Sequence, residues 1–262
     1  MDLGLRGKRA IVTGGSRGIG RCCAIALARE GVSVCIAART QEVLERVVEE
    51  INETGGKGHA VAVDLTIQEN CEKVVQETVE IFGGVDILVN NVGAARNADI
   101  LELPTELIDD ALKLKSYSYL RMSQLVIPYM KANRWGRIIN IAGGAGTSPT
   151  RGNIPTGVAN ITILNMTRAL SDAVAGDGIL VNTVCPGLTN TARARTQQRA
   201  RAEREGREVE ELLRYLGSEL PAGRIAQPEE IANVVTFLAS EACSYVFGSS
   251  VYMDGGGRRA TP

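Results

Sequence analysis

Between residues 9 and 20 the chain runs from Arg9-Ala10-Ile11-Val12 straight into Thr13-Gly14-Gly15-Ser16-Arg17-Gly18-Ile19-Gly20. The apolar run reads as a strand, and the segment from Gly18 onward reads as a helix. A strand that turns through glycines into a helix leaves backbone N–H groups at the positive end of the helix dipole, where a pyrophosphate fits. Glycine at the turn lets the backbone come close to that group. The start of the chain therefore encodes a dinucleotide site, and it does so inside a β-turn-α unit.

The same alternation continues to the end. Strand-length apolar runs lie at Ala10–Thr13, Ser33–Ala37, His59–Val63, Asp86–Asn90, Arg137–Ile141, Leu180–Val184 and Ser249–Met253. Helical patterns fill 18–30, 41–54, 67–82, 104–132, 155–176 and 228–240. Strands apolar on both faces, separated by amphipathic helices, make a parallel sheet covered on both sides. The expected fold is α/β: a Rossmann-type doubly wound parallel β-sheet flanked by helices on both faces. Without an internal repeat or linker, residues 1–262 read as a single dinucleotide-binding domain.

Composition narrows the function. A chain of 262 residues, 44% hydrophobic and 23% charged, can bury a large core. Its formal charge of −1 gives no electrostatic case for nucleic acid or an anionic membrane. No apolar run reaches the roughly 18 residues of a membrane span, and residues 1–8 lack the apolar stretch of a signal peptide. A cytoplasmic protein is expected. The six cysteines are scattered without a C-x-x-C pair, which suits reduced core residues rather than a metal site. His59 is the only histidine and opens a strand, so a Ser-His-Asp hydrolase or a multi-histidine metal site is disfavoured.

Residues 192–217 break the rhythm with seven arginines and five glutamates. One reading is a solvated helix laced with i,i+4 ion pairs. The other is a substrate lid over 190–222, since the segment follows the last central strand at the carboxyl end of the sheet.

Several further motifs recur in order: Asp64-Leu65, Asn90-Asn91-Val92-Gly93, Gly136-Arg137-Ile138-Ile139-Asn140-Ile141 and Val181-Asn182-Thr183-Val184-Cys185-Pro186-Gly187. The stretch Gly223 to Glu230, then Phe237-Leu238-Ala239-Ser240 and Asp254-Gly255-Gly256, completes the set. With the glycine loop these resemble the short-chain dehydrogenase/reductase superfamily over essentially the whole chain. The resemblance implies four site residues: a serine on the substrate oxygen, a proton-transferring tyrosine, a lysine that tunes it and holds the nicotinamide ribose, and an asparagine that anchors a water relay. Counting back from Thr167-Arg168-Ala169-Leu170 places the tyrosine position at Thr156, the lysine position at Asn160 and the serine position at Gly143. Counting from Pro128-Tyr129-Met130 places the asparagine position at Lys115. All four differ, and none of the six tyrosines is followed four residues later by lysine.

A phenol needs a neighbouring cation to act as a base near neutrality, and threonine titrates far too high to replace it. Asn160 carries no charge but can still hydrogen-bond ribose hydroxyls. Lys115 falls on the apolar stripe Ile108, Leu112, Lys115, Tyr119, Met122 and Val126. Either it snorkels from the helix edge, or it is a cation moved to another wall of the same pocket, able to protonate an oxygen, neutralise an oxyanion or form a Schiff base. Lys115 and Asn160 are the candidate catalytic residues.

For the cofactor, Ala38-Arg39 follows the second strand, where NAD-preferring relatives usually place an aspartate. Arg39 and Arg17 could together hold a 2′-phosphate, which favours NADP(H) over NAD(H). The resemblance assigns Gly14, Ser16, Arg17, Gly18, Ile19 and Gly20 to the phosphates, Asp64 and Leu65 to the adenine, and Asn90, Val92 and Gly93 to the adenosine side. It assigns Pro186, Gly187, Leu188, Thr189 and Thr191 to the nicotinamide, with Leu188 as a backbone donor, and Asn160 to the ribose. Three functions are compatible with these residues. The first is an NADP(H)-dependent oxidoreductase acting on a small carbonyl or hydroxyl compound through an atypical acid/base site. The second is Lys115-assisted lyase, dehydratase or isomerase chemistry, and the third a non-catalytic sensor or scaffold. Apolar residues on several faces of the helices near 104–132 and 155–176 point to a homotetramer or homodimer.

Overall fold

The structure, a computed structural model, describes residues 1–259. Seven strands form one all-parallel sheet: β1 (Arg9–Thr13), β2 (Ser33–Ala38), β3 (Lys57–Ala62), β4 (Ile87–Asn90), β5 (Gly136–Ile141), β6 (Ile179–Pro186) and β7 (Ser250–Met253). Their order across the sheet is β3-β2-β1-β4-β5-β6-β7. The chain builds outward from β1 to β3, then returns to the other side of β1 to lay down β4. That reversal opens a crevice beyond the carboxyl ends of β1 and β4.

Side-chain alternation explains why both faces are dry. In β1, β2 and β4, residues Ala10, Val12, Val34, Ile36, Ile87 and Val89 pack into one core with α1 (Gly18–Arg29), α2 (Gln41–Glu53) and α9 (Pro228–Leu238). Their neighbours Ile11, Cys35, Ala37 and Leu88 point the opposite way, toward α3 (Gln68–Phe82), α5 (Ser118–Asn133) and the end of α6 (Ile154–Val174). A period of two in the strands thus feeds two separate cores. All six cysteines are buried and free. His59 lies on the edge strand β3, where its ring meets Glu77 at 3.0 Å.

At the amino end of the sheet, Asp86 accepts hydrogen bonds from the Arg9 amide at 2.9 Å and from the Arg9 guanidinium, Nε and Nη2, each at 2.7 Å. This pair fastens the β1–β4 neighbours at the end opposite the crevice.

The expected helix at 104–132 is not one regular helix. It runs as α4 (Glu106–Ala111), a π-helical turn (Leu112–Tyr117) and then α5. The wider turn frees carbonyls, and the Ser118 hydroxyl donates to those of Leu114 at 2.6 Å and Lys115 at 3.2 Å. Such turns recur at functional sites. The charged stretch after β6 folds as two helices, α7 (Ala192–Glu205) and α8 (Val209–Ser218). No helix among the described residues is long and apolar enough to cross a membrane.

Candidate active site and cofactor cleft

A cleft of about 670 Å³ follows the carboxyl edge of the sheet. Its floor at one end is the loop between β1 and α1. Gly14 and Gly18 hold positive φ of 65° and 54°, which an L side chain rarely adopts. Asn91, immediately after β4, clamps this loop: its side chain donates to the carbonyls of Thr13 at 3.1 Å and Gly14 at 3.2 Å. Gly20 makes that closure possible, since a Cβ there would stand 2.2 Å from the Gly14 carbonyl oxygen. The loop is a glycine cradle with no room for a Cβ at Gly14, Gly15 or Gly20, at the amino end of a 12-residue helix. That is the geometry a pyrophosphate requires, so the residues fit a dinucleotide.

Gly14, Ser16, Arg17, Gly18 and Ile19 line the cleft, as do Arg39, Asp64, Leu65, Val92 and Gly93. Farther along come Lys115, Asn160, Pro186, Gly187, Leu188, Thr189 and Thr191. Two residues expected there stand elsewhere. Asn90 is fully buried, and its amide donates to Asn140 Oδ1 at 2.9 Å beneath the site. Gly20 serves the packing of the loop rather than its surface. Asn91 belongs to the Asn90–Gly93 motif, but its role as the clamp of the glycine loop was not read from it; its position just past a central strand was the available signal. Asp64 caps its own turn, accepting from the Thr66 amide at 2.9 Å and hydroxyl at 2.8 Å.

At the other end, Lys115 Nζ donates to Asn160 Oδ1 at 2.7 Å. The lysine comes from the π-helical turn and the asparagine from α6. A second tie between the same elements joins the Ser116 and Thr162 hydroxyls at 2.5 Å. Gly143 makes room for this arrangement: a Cβ there would fall 2.9 Å from Asn160 Nδ2. Any side chain at 143 would displace the amide that holds the lysine. Lys115 is therefore not a surface lysine reaching for water. Burial, and next the nearby Arg193 cation, lower its pKa from 10.5 to about 7, against a smaller upward pull from Cys185. An ammonium removed from water loses its proton more readily.

The other titratable candidates are committed elsewhere. Tyr119 lies under Lys115, fully buried, with its hydroxyl donating to the Ile141 carbonyl at 3.0 Å. Burial pushes this phenol well above its ordinary value. Thr156 donates to Asn97 Oδ1 at 3.0 Å, on the loop after β4. Cys185 is pushed up to about 11 by burial and stays a thiol. Among the described residues no cluster of three or more His, Cys, Asp or Glu side chains could hold a metal ion.

The arginine-rich segment lines the cleft with its first turn and carries ion pairs farther along. Its first turn covers the cleft: Thr191, Ala192, Arg193, Ala194, Thr196 and Gln197 line it, and the Arg193 guanidinium donates to the Gly93 carbonyl. Its outer turns are ion-paired, Arg195 with Glu210 at 2.9 Å and Arg201 with Glu205 at 2.7 Å. Arg193 had no sequence signal separating it from its arginine neighbours.

Comparison with known proteins agrees with this geometry. Residues 14–257 match the family model described as enoyl-(acyl carrier protein) reductase. The 3-oxoacyl-[acyl-carrier-protein] reductase of Aquifex aeolicus is 34% identical over 257 residues, covering 98% of this chain and 99% of that protein. An uncharacterized oxidoreductase of Bacillus subtilis is 32% identical over 260 residues, 98% of each chain. Among solved structures, L-sorbose reductase from Gluconobacter frateurii, in complex with NADPH and L-sorbose, matches with a TM-score of 0.95 and 32% identity over 100% of both chains. The chain belongs to the short-chain dehydrogenase/reductase superfamily and is an oxidoreductase of that family.

Proposed function

We propose that this protein is an NADP(H)-dependent reductase, or dehydrogenase in the reverse direction, for a small carbonyl or hydroxyl compound, with Lys115 as its proton donor and acceptor. The observation that carries this reading is the 2.7 Å bond from Lys115 Nζ to Asn160 Oδ1, which fixes an amine of pKa about 7 in the cleft. The family positions at which lysine and asparagine ordinarily stand are exchanged here. Relatives named as reductases or oxidoreductases favour hydride transfer over the lyase, dehydratase, isomerase and scaffold alternatives.

A bound reduced nicotinamide supplies a hydride to a carbonyl carbon; the remaining work falls to this chain. Lys115, as ammonium, donates a proton to the carbonyl oxygen as the hydroxyl forms, leaving a neutral amine. Asn160 takes one of its N–H bonds and so aims the others. Proton transfer from a positioned group of matched pKa contributes about 10²- to 10⁴-fold in rate. Gly143 and the adjacent Ala142 leave that wall of the cleft without a hydroxyl, so no serine competes for the substrate oxygen.

At the adenosine end, Arg17 and Arg39 both line the cleft, together with Ala38 and Thr40. Two guanidiniums there match a 2′-phosphate. Arg39→Asp should weaken NADPH binding by roughly 10- to 150-fold, the loss of about 1.5–3 kcal/mol for a charge-assisted contact, and change NADH binding little. Titration of both cofactors checks this, and equal weakening of the two would contradict the 2′-phosphate assignment.

The pH dependence follows from the lysine. In the reduction direction Lys115 must be protonated, so kcat/KM should be level below pH 7 and fall tenfold per unit above it. In the oxidation direction the amine must be neutral, so the rate should rise through the same pH and then level. Lys115→Met keeps length and apolar packing; it should lower turnover by at least about 100-fold and abolish the inflection while nucleotide affinity stays within about threefold. Wild-type turnover in that variant would contradict the assignment.

Tyr117, Leu120 and Ile161 stand exposed on the π-helical turn, α5 and α6. Covering this face by a second copy supports a homodimer or homotetramer. Light scattering at micromolar concentration should give at least twice the 27.9 kDa chain mass; a monomeric mass would contradict it.

A further inference from the structure

The cleft lining carries four cations, Arg17, Arg39, Lys115 and Arg193, and one carboxylate, Asp64. Arg17, Arg39 and Asp64 lie at the adenosine end. Among the described residues that line the reacting end, the charged side chains are Lys115 and Arg193. Among the described residues neither has a carboxylate partner: Lys115 bonds the neutral Asn160 amide, and Arg193 bonds the Gly93 carbonyl. Every other arginine of the lid that pairs does so with a glutamate on its outer side.

Arg193 also stands where its own helix disfavours it. It is the second residue of α7, whose first turn holds no acidic residue and whose N-cap Thr191 takes the Ala194 amide at 3.1 Å. A cation at a helix amino terminus works against the helix dipole. The positive end of α7, the exposed Arg193 guanidinium and the Lys115 amine thus lie at the same end of the cleft, both side chains against Gly93, and burial lowers the pKa of Lys115. Two like charges left unpaired beside each other are the arrangement of a site completed by an anion.

The glycine cradle and α1 already offer a place for a pyrophosphate, and Arg17 with Arg39 offer one for a 2′-phosphate. Arg193 is at neither. It holds the carbonyl of Gly93, the residue against which the Lys115 side chain packs, with Lys115 Cδ 3.5 Å from where a Cβ of Gly93 would stand. We infer that the substrate is an acid: a carbonyl or hydroxyl compound that carries a carboxylate beside the reacting carbon, held by Arg193 while Lys115 serves the oxygen. The inference rests on the hydride-transfer reading above and narrows it, since a neutral ketose or thioester would leave Arg193 unpaired.

The test uses matched pairs, pyruvate with methyl pyruvate and acetoacetate with methyl acetoacetate, together with 2-keto-D-gluconate and L-sorbose. Each is assayed with NADPH on wild type and on Arg193→Met. Wild type should prefer the acid in a pair, and Arg193→Met should cut that preference by about 10- to 100-fold, the worth of a charge-assisted bidentate contact. Binding is read apart from turnover with malonate, which should raise the melting temperature of wild type in the presence of NADPH and leave that of Arg193→Met unmoved. Preference for the neutral member, an unchanged preference in the variant, or an equal malonate shift in both proteins would overturn the inference while the reductase reading stands. Weakened NADPH binding in Arg193→Met, equal to its loss with the acid, would make the arginine a cofactor ligand and overturn it likewise. Absence of NADPH oxidation with every compound, despite malonate binding that depends on Arg193, would instead count against hydride transfer and keep the anion site.

Discussion

The hydrogen bond from Lys115 to Asn160 organises the reacting end of this molecule. It joins α6 to the π-helical turn on which Lys115 stands. Gly143 is needed because Asn160 occupies the space beside it. Tyr119 closes the floor and turns its hydroxyl to the Ile141 carbonyl, which leaves the amine with a dry, apolar underside. Desolvation of this kind is what brings a lysine down to neutral pH.

The fold brings these parts together by topology. Reversal of strand order at β1 and β4 opens the crevice, and the Arg9–Asp86 pair secures those strands at the far end. Loops leaving the carboxyl ends of β1, β4, β5 and β6 supply the glycine cradle, Asn91, Gly143 and Leu188 in turn. Charge is divided along the same cleft. Arg17 and Arg39 stand at one end, and the desolvated Lys115 amine with Arg193 of α7 stands at the other.

The strands and the helices of the sheet layers were legible in the sequence because burial on both faces writes itself as apolar runs of strand length. All seven strands fall within two residues of the apolar runs. The break in the 104–132 helix was not legible, since a π-turn keeps the apolar stripe nearly in phase: Tyr119, Met122 and Val126 are buried as the spacing requires. Lys115 could be singled out because a cation within that stripe needs a reason. Asn160 was named beside it as a candidate, but the bond between the two was not legible, because it joins residues 45 apart on different elements. Asn90 and Asn91 show the limit of motif reading. Asn90 ends β4 and enters a buried network with Asn140, whereas its identical neighbour Asn91 lies just past the strand and clamps the loop. Arg193 was one arginine among seven until the helix start placed it over the cleft.

The ionisation of Lys115 is the claim on which the chemistry turns. The chain has six lysines, so ¹³C labelling of lysine side chains and NMR titration from pH 5 to 11 would resolve them, with Lys115→Met identifying the signal. The account predicts that one ε-carbon titrates near pH 7. A Lys115 signal that titrates near the ordinary lysine value of 10.5 would contradict it.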